Sequence, residues 1–235
     1  MKLRMQITKD KDIRFISHLE YVRTIGRAIR RAKLPAAYSE GFNPHLKFSL
    51  ASALGVGVVS YTEFVEIELA EPMEVEKAAL ALDAALPRGI RVLAADAVDT
   101  HHAALMSQAA GASYRVTLPY SKDVSVAVAE FNAAPELLFK KAAPKTKAKF
   151  KDIDVKFYIP QLTAEQTETE TIFSFDCKIT PTGSMKAVDL LNALNEQYGL
   201  ALPVEMADIE RLRLYRNNKN GKPIPMLNSD AVTLG

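Results

Sequence analysis

The sequence predicts an α+β protein in which two similar successions of strands and helices follow one another along 235 residues. Several short segments alternate apolar and polar residues, which is typical of strands with one buried face. Longer segments rich in Ala and Leu carry apolar residues at three- and four-residue steps, which favours helices. The order strand, helix, two strands, helix, strand occurs in the first hundred residues and roughly again after residue 112. We therefore expect two tandem ferredoxin-like βαββαβ units with antiparallel sheets.

The first unit is expected over residues 1–98. Its first helix begins at Ser17, whose hydroxyl can accept from the first free N–H groups while Glu20 reaches back in a capping box, and Pro35 stops this helix. Its second helix spans residues 74–86, which have strong helix propensity and an acidic first turn. Four segments with apolar alternation or apolar runs are the expected strands: residues 2–7, 45–51, 64–69 and 90–95.

The second unit is expected over residues 113–216 and contains a long basic insertion. Its helices are expected at residues 123–132 and 185–198. Its strand candidates are residues 114–118, 137–140, 155–159, 172–179 and 209–215. The connector 99–112 is the expected boundary between the units. Residues 217–235 lack periodicity and are expected to form a loose tail or an extended arm.

The cysteine and histidine content and the lack of long apolar segments limit the kinds of site and the compartment that we expect. The single cysteine, Cys177, excludes an internal disulfide and any Cys-only metal or iron–sulfur site in this chain. The four histidines lack the spacing of zinc ligands: His18, His45, His101 and His102. We therefore expect no metal and no cofactor. No segment resembles a signal peptide or reaches the length of a membrane span, so we expect a soluble, cytoplasmic protein without a membrane partner.

The helix that begins at Ser17 carries a one-sided stripe of arginines. Residues 1–60 hold eleven Lys and Arg against four Asp and Glu, although the net charge of the chain is only +2. The apolar face of the helix is formed by Val22, Ile25, Ile29 and Ala32. The opposite face carries Arg23, Arg27, Arg30 and Arg31. Guanidinium groups suit phosphate oxygens in bidentate geometry, so the stripe indicates either an anionic partner or an ordinary solvated face.

The segment 38–50 follows this helix and combines turn formers with titratable and aromatic side chains. Such a segment is either a loop that presents contacts or chemistry, or a turn whose polar residues only satisfy the backbone. Gly41 is expected to supply a positive φ, and Asn43 before Pro44 marks a turn. Phe42 is expected as a core anchor under the loop, which we favour, or as a stacking surface for a base.

Tyr38, His45 and Lys47 have the residue types of an acid–base–electrophile set. Metal-free RNA cleavage needs proton transfer and stabilisation of the phosphate, which such side chains can supply when they converge. For His45, function and structure remain equal alternatives. His18 lies on the apolar side of the arginine helix and is interpreted as a core or capping histidine rather than a catalyst.

Six lysines crowd residues 140–151 without a regular apolar face: Lys140, Lys141, Lys145, Lys147, Lys149 and Lys151. We select Lys145 and Lys147 as candidate contacts to RNA. A mobile basic arm of this kind would attract nucleic acid without regard to sequence and in a salt-dependent way. A solubilising loop is an equal alternative.

Two segments carry a resemblance to a known family: RFISHLE at residues 14–20 and YSEGFNPH at residues 38–45. They are similar to the radical-SAM-linked bacterial family, whose function is unknown. This resemblance implies that the protein works beside a radical SAM enzyme. The chain has no CxxxCxxC motif, so the iron–sulfur cluster of the radical SAM reaction would belong to that partner.

Tandem ferredoxin-like units also resemble, more distantly, the CRISPR RNA-processing endonucleases. This chain lacks their glycine-rich loop near the C-terminus, where Gly221 stands alone.

These observations lead to one expected function and two alternatives. We expect a non-catalytic module that binds RNA or a ribonucleoprotein and serves as an accessory to a radical SAM enzyme. The first alternative is a metal-independent RNA endonuclease that uses His45. The second is a protein–protein adaptor in which the arginine helix meets an acidic partner.

Overall fold

A computed structural model of the protein describes residues 1–99, 103–142 and 149–234. The helices of this part of the chain are α1 (His18–Arg31), α2 (Val75–Ala85), α3 (Leu105–Gln108), α4 (Ser125–Ala133), α5 (Val155–Tyr158) and α6 (Ala187–Tyr198). Its strands are β1 (Lys2–Lys9), β2 (Phe48–Leu50), β3 (Val58–Glu68), β4 (Val92–Val98), β5 (Gly111–Leu118), β6 (Leu138–Ala142), β7 (Phe150–Asp154), β8 (Leu162–Gln166), β9 (Thr171–Thr180), β10 (Gly183–Ser184), β11 (Asp208–Asn217), β12 (Pro223–Pro225) and β13 (Val232–Thr233). Pairing is mostly antiparallel, so the predicted α+β class is confirmed.

None of the described helices combines the length and the apolar character that crossing a bilayer requires.

The chain divides into two compact units. The first unit comprises Met1–Ala110 together with Arg213–Gly235, and the second unit comprises Gly111–Leu212. The segment 217–235, for which we expected a loose tail or an extended arm, lies in the first unit and forms two short strands there. β12 pairs with β11, and β13 pairs with β4.

In the first unit, the strands β1 to β4 have the spatial order β2-β3-β1-β4, and each neighbouring pair is antiparallel. Alternation along β1 sends Leu3, Met5 and Ile7 to one face, where all three are completely buried. α1 and α2 cover that face with apolar side chains, among them Tyr21, Ile25, Ile29, Ala78 and Leu82. Full burial of an apolar side chain of this size contributes about 1.5–3 kcal/mol, so this layer positions α1 firmly.

The opposite face of the same sheet is charged and is covered by the C-terminal segment. Arg4 lies directly between Glu66 of β3 and Asp96 of β4. Its guanidinium donates to Glu66 Oε2 at 2.8 Å and to the carbonyl oxygen of Met226 at 2.8 Å. Asp96 accepts a hydrogen bond from the Asn228 amide at 2.6 Å. Arg4, Glu66 and Asp96 are all buried, so this row holds residues 226–228 against the sheet.

A carboxylate links the end of α2 to the start of β4. Asp83 accepts hydrogen bonds from Arg91 Nε at 2.9 Å and from the backbone N–H of Val92 at 2.8 Å. Partial burial raises the pKa of Asp83, but these hydrogen bonds and the charge of Arg91 outweigh it, and the pKa lies below its ordinary value. The ionised form is therefore the one that the fold stabilises.

We expect Asp83→Asn to destabilise the protein at neutral pH and to have little effect in acid. The unfolded carboxyl has a pKa of about 3.9, and the folded one titrates lower. Its stabilisation is therefore fully present above the unfolded pKa and is lost as the pH falls through the folded pKa. Urea unfolding of both proteins at pH 7, 5 and 3 measures the difference. A difference that stays constant down to pH 3 would contradict this assignment.

In the second unit, the sheet has the order β8-β9-β5-β11, and β10 pairs with the last two residues of β9, at the edge that β8 also occupies. The β5–β9 and β8–β9 pairs are antiparallel. The apolar faces of its helices are buried, notably at Phe131 of α4 and at Leu190, Leu191 and Leu194 of α6. Between α4 and β8 the chain inserts the antiparallel hairpin β6–β7 and the short helix α5.

The strand predicted at residues 155–159 is wrong, because the structure has α5 there. The Asp154 carboxylate accepts hydrogen bonds from the backbone N–H of Lys156 at 3.0 Å and of Leu137 at 3.2 Å, which caps this turn of helix. A short apolar run is ambiguous between helix and strand, and the preceding Asp decides for the helix. The strand that pairs with β6 is instead β7, immediately before it.

Candidate nucleic-acid interface

α1 presents its arginines to solvent because its other face is built for the core. Ser17 Oγ accepts from the backbone N–H of Glu20 at 3.2 Å, so the predicted N-cap is present. Tyr21 lies on the buried face and donates its hydroxyl to the carbonyl of Thr8 at 2.6 Å. This bond fixes the rotation of the helix about its axis. His18, the first residue of α1, is half-buried.

The four predicted arginines are all exposed, but they differ in what they contact. Arg23 pairs with the Glu20 carboxylate one turn earlier in the helix. Arg31 donates to the carbonyl of Ala85 at 2.7 Å and so satisfies the end of α2. Arg27 and Arg30 make no side-chain hydrogen bond or ion pair within the described residues. These two guanidinium groups are therefore the ones that an anion can engage without breaking an internal bond.

The segment after α1 forms a narrow hairpin with a wholly exposed tip. Tyr38 bridges to Leu46, and the backbone N–H of Ser39 donates to the carbonyl of His45 at 2.8 Å. The backbone N–H of His45 donates in turn to Ser39 Oγ at 2.9 Å. Residues 40–45 are all exposed. These bonds close a tight loop that holds the tip residues away from the core.

Phe42 lies at this tip, and its side chain is fully exposed. The favoured prediction of a core anchor is therefore wrong, and the alternative of an exposed aromatic surface remains. Gly41 has a φ of +115°, a conformation that a residue with a Cβ rarely adopts, as the sequence predicted. Asn43 and Pro44 complete the turn. The exposed ring therefore adds no burial energy to the fold.

The hairpin register separates the three side chains of the expected acid–base set. Tyr38 faces Leu46, whereas His45 and Lys47 belong to the neighbouring pairs with Ser39 and Ala37. Because successive side chains alternate between faces, Tyr38 lies on the face opposite to His45 and Lys47. Lys47 Nζ is moreover paired with Glu68 Oε1 at 3.1 Å. The arrangement suits contacts on two sides of a loop better than three groups acting on one atom.

The hairpin is anchored to the arginine helix at its base. A Cβ added to Gly26 of α1 would lie 3.3 Å from Cζ of Phe48, the first residue of β2, so the helix backbone and this ring pack closely. Gly26 directly precedes Arg27. The arginine stripe and the hairpin therefore belong to one packed element of the first unit, which we call the α1–hairpin surface (α1 with residues 36–48).

The remaining candidate residues, which are the lysines of the basic insertion, two histidines and the cysteine, lie outside the α1–hairpin surface. Lys145 and Lys147 lie outside the described residues, as do His101 and His102. Among the residues that are described, no group of three or more His, Cys, Asp and Glu has the geometry to hold a metal ion. Cys177 is buried in β9, and burial raises the pKa of its thiol to about 11. It is therefore a small core residue and not a nucleophile.

Phe15 is a further exposed aromatic residue, and sequence reasoning did not single it out as a site residue. Its ring is 69% exposed, and the Arg14 guanidinium lies 4.9 Å from the ring centroid. Its apolar neighbours Ile13 and Ile16 pack against the core. Phe15 belongs to the RFISHLE segment, but it lies in the turn after the 3-10 helix Lys11–Ile13, where neither strand nor helix periodicity indicates its exposure.

Comparisons with known proteins give one family and no function. A family model described as an uncharacterized protein conserved in bacteria (DUF2344) matches residues 2–189. No curated protein matches the sequence.

A chain in a crystal structure of a Cbf5-Nop10-Gar1 complex is similar in structure. It is 12% identical, over 93% of this chain and 50% of that chain, with a TM-score of 0.49. The protein thus spans about half the length of that chain. An unknown protein from Galdieria sulphuraria is 15% identical, over 88% and 95% of the two chains, with a TM-score of 0.26. Both likenesses are too distant to carry an argument.

Proposed function

The chain belongs to the family of uncharacterized proteins conserved in bacteria (DUF2344), and we propose that it is a non-catalytic module that binds RNA or a ribonucleoprotein beside a radical SAM enzyme. The observation that carries this proposal is the pair Arg27 and Arg30. Both are exposed on one face of α1, and neither has a bonded partner among the described residues. Phosphate groups are the ligands that such guanidinium groups accommodate best.

Repulsion among the arginines gives a small energetic reason for an anionic ligand. Like charges three and four residues apart in a helix destabilise it slightly, and Arg23, Arg27, Arg30 and Arg31 are spaced in this way. Glu20 and the carbonyl of Ala85 engage only the first and last of them. A strand of phosphates along α1 would remove the repulsion that remains.

Phe42 supplies the second element of the proposed interface. Proteins that bind single-stranded nucleic acid combine a basic track with aromatic rings on which bases stack. The tip of the hairpin holds Phe42 in the open, and Phe48 anchors the same hairpin against α1. The ring is thus presented from the same packed element as the free arginines.

The proposed architecture is two ferredoxin-like units. The strand orders β2-β3-β1-β4 and β8-β9-β5-β11 support it, since both correspond to the order expected for βαββαβ units. In this interpretation the hairpin β6–β7 and α5 are an insertion in the second unit. Fold class alone does not assign an activity, so the function rests on the α1–hairpin surface.

The proposed partner is a radical SAM protein, which the similarity of residues 14–20 and 38–45 to the radical-SAM-linked family supports. A radical SAM cluster needs three cysteines from one motif, and this chain has only Cys177. In this proposal the partner therefore supplies the cluster and the chemistry, and this chain supplies the contact with RNA.

We expect Arg27→Ala/Arg30→Ala to weaken RNA binding by on the order of tenfold per arginine at low salt. Log affinity should fall with log salt for the wild type, and the slope should become shallower by about one per arginine, because fewer counterions are released. Fluorescence anisotropy with labelled single-stranded RNAs of several sequences between 50 and 200 mM salt measures both quantities. The loss should be similar for all sequences.

The matched control is Lys219→Ala/Lys222→Ala, which removes the same charge from exposed positions of the first unit. It should change RNA affinity less than threefold. Binding that does not depend on salt, or no binding of cellular RNA at low salt, would favour the adaptor alternative instead. RNA cleavage that persists in EDTA and disappears in His45→Ala would favour the endonuclease alternative.

A further inference from the structure

A small pocket in the second unit lies apart from the α1–hairpin surface. It has a volume of about 200 Å³ and is formed by the hairpin β6–β7, α5 and the turn between β9 and β10. Its polar lining consists of Lys141, Lys151, Tyr158, Thr182 and Ser184. Sites for drug-sized ligands exceed about 300 Å³, so this pocket suits a smaller group.

Two lysines of this pocket face each other across the hairpin. Lys141 of β6 and Lys151 of β7 are directly opposite in the antiparallel register. Like charges in this position destabilise a strand pair. Lys141 Nζ is compensated by Asp189 Oδ2 at 2.6 Å, and Asp189 is itself only 8% exposed. Lys151 has no ion pair among the described residues. One positive charge at the pocket is thus left without a counter-charge.

The other polar groups of the pocket are three hydroxyls, and two of them, those of Ser184 and Tyr158, have free donor capacity. Thr182 and Ser184 flank Gly183, whose φ of +116° makes the tight turn from β9 to β10. The Thr180 hydroxyl donates to the carbonyl of Gly183 at 2.8 Å, so the Thr182 hydroxyl donates its own proton to Thr180 Oγ1 at 3.0 Å. The hydroxyls of Ser184 and Tyr158 form no hydrogen bond with another described residue. An acceptor-only, negatively charged group would satisfy these donors and the Lys151 ammonium together.

We propose that this pocket binds the phosphate group of a phosphate ester. A phosphate monoester carries about −1.5 to −2 charges at pH 7 and three strong acceptor oxygens. It therefore matches one uncompensated ammonium and two hydroxyl donors, and it reduces the repulsion between Lys141 and Lys151. The ester belongs either to a free small molecule or to RNA. The inference does not depend on Arg27 or Arg30, since the pocket residues all lie in the second unit.

The test compares Lys151→Gln with Lys140→Gln in the full chain. Lys140 precedes Lys141 in β6, so its side chain lies on the other face of the hairpin, opposite Asp152. Isothermal titration calorimetry with inorganic phosphate and with adenosine 5′-monophosphate, in chloride buffer, gives the affinities. Lys151→Gln should weaken binding of the better probe by about tenfold or more, and Lys140→Gln by less than twofold.

A stability measurement separates loss of the site from loss of the fold. Lys151→Gln should unfold at the same temperature as the wild type or higher in the absence of phosphate, because it removes a like-charge pair. It should also lose the rise in unfolding temperature that phosphate gives the wild type. Ser184→Ala should reduce that rise without lowering the unfolding temperature in chloride buffer.

Two RNA probes of one sequence, one with a 5′-phosphate and one with a 5′-hydroxyl, distinguish the sources. If only the phosphorylated RNA competes with inorganic phosphate, the ester is the 5′ end of an RNA. If both RNAs compete equally, the pocket binds backbone phosphodiesters, and the assignment to a monoester is overturned. Competition by adenosine 5′-monophosphate but by neither RNA indicates a free small ester. Equal losses in Lys151→Gln and Lys140→Gln, or a wild type that responds to none of these probes at millimolar concentration, would overturn the proposal.

Discussion

Arg4→Ala is expected to lower the free energy of unfolding by about 3–5 kcal/mol. The Arg4 guanidinium lies buried between Glu66 and Asp96 and donates to Glu66 and to the carbonyl of Met226. Truncation leaves the Glu66 carboxylate buried without its principal partner, and it also removes a bond that holds the C-terminal segment to the sheet. Breaking a buried ion pair from one side costs far more than the pair contributes while it is intact.

Urea unfolding at pH 7 measures this loss, and two further variants identify its cause. Lys2→Ala removes a partly exposed neighbour that lies 3.6 Å from Glu66, and it should cost less than about 1 kcal/mol. Arg4→Met/Glu66→Met should recover much of the loss, because it removes both charges and keeps the volume. A loss below 1 kcal/mol for Arg4→Ala would show that the buried charge does not matter.

Phe131→Ala is expected to lower the free energy of unfolding of the second unit by about 3–5 kcal/mol. The Phe131 ring in α4 is fully buried, and Lys156 Nζ lies 4.4 Å from its centroid. Desolvation by burial lowers the pKa of Lys156, although the nearby Asp154 carboxylate raises it. Removal of the ring leaves a cavity and takes away a cation–π contact, so two contributions are lost together.

Hydrogen exchange of amides in α4 and β8 measures this effect where it arises, and urea unfolding measures its size. Val126→Ala in the same helix is the matched control, since its side chain is 66% exposed and its truncation should cost less than about 0.5 kcal/mol. Equal effects of the two substitutions would mean that the core of the second unit does not depend on Phe131.

The pattern of arginines in the sequence predicts which side chains of α1 are exposed, but it does not predict which of them bond to other parts of the protein. The sequence predicts that Arg23, Arg27, Arg30 and Arg31 share one face of a helix, and the structure places all four in solvent. Only the structure distinguishes Arg31, which satisfies the end of α2 through Ala85, 54 residues away in the chain. The functional test therefore targets two arginines and not four.

In the loop after α1, the predicted backbone conformation of Gly41 is confirmed, whereas the predicted burial of Phe42 is wrong. Gly41 adopts the positive φ that its turn requires, because that requirement is set by its own backbone. Phe42 is exposed although a phenylalanine next to a glycine turn is more often an anchor. Whether a ring is covered depends on which distant residues come to lie against it, and a loop sequence carries no information about them.

The sequence by itself determined the buried face of β1, the N-cap at Ser17 and, through the periodicity of its segments, the α+β class. Each of these depends on residues two to four positions apart, the range over which strand and helix periodicity acts. The tertiary structure alone decided that Arg4 is buried under Met226, that Lys141 faces Lys151, and that residues 217–235 pair into the first unit. Arg4 and Met226 are 222 positions apart in the chain. Contacts over such separations are fixed by the packing of whole elements, and no local pattern specifies them.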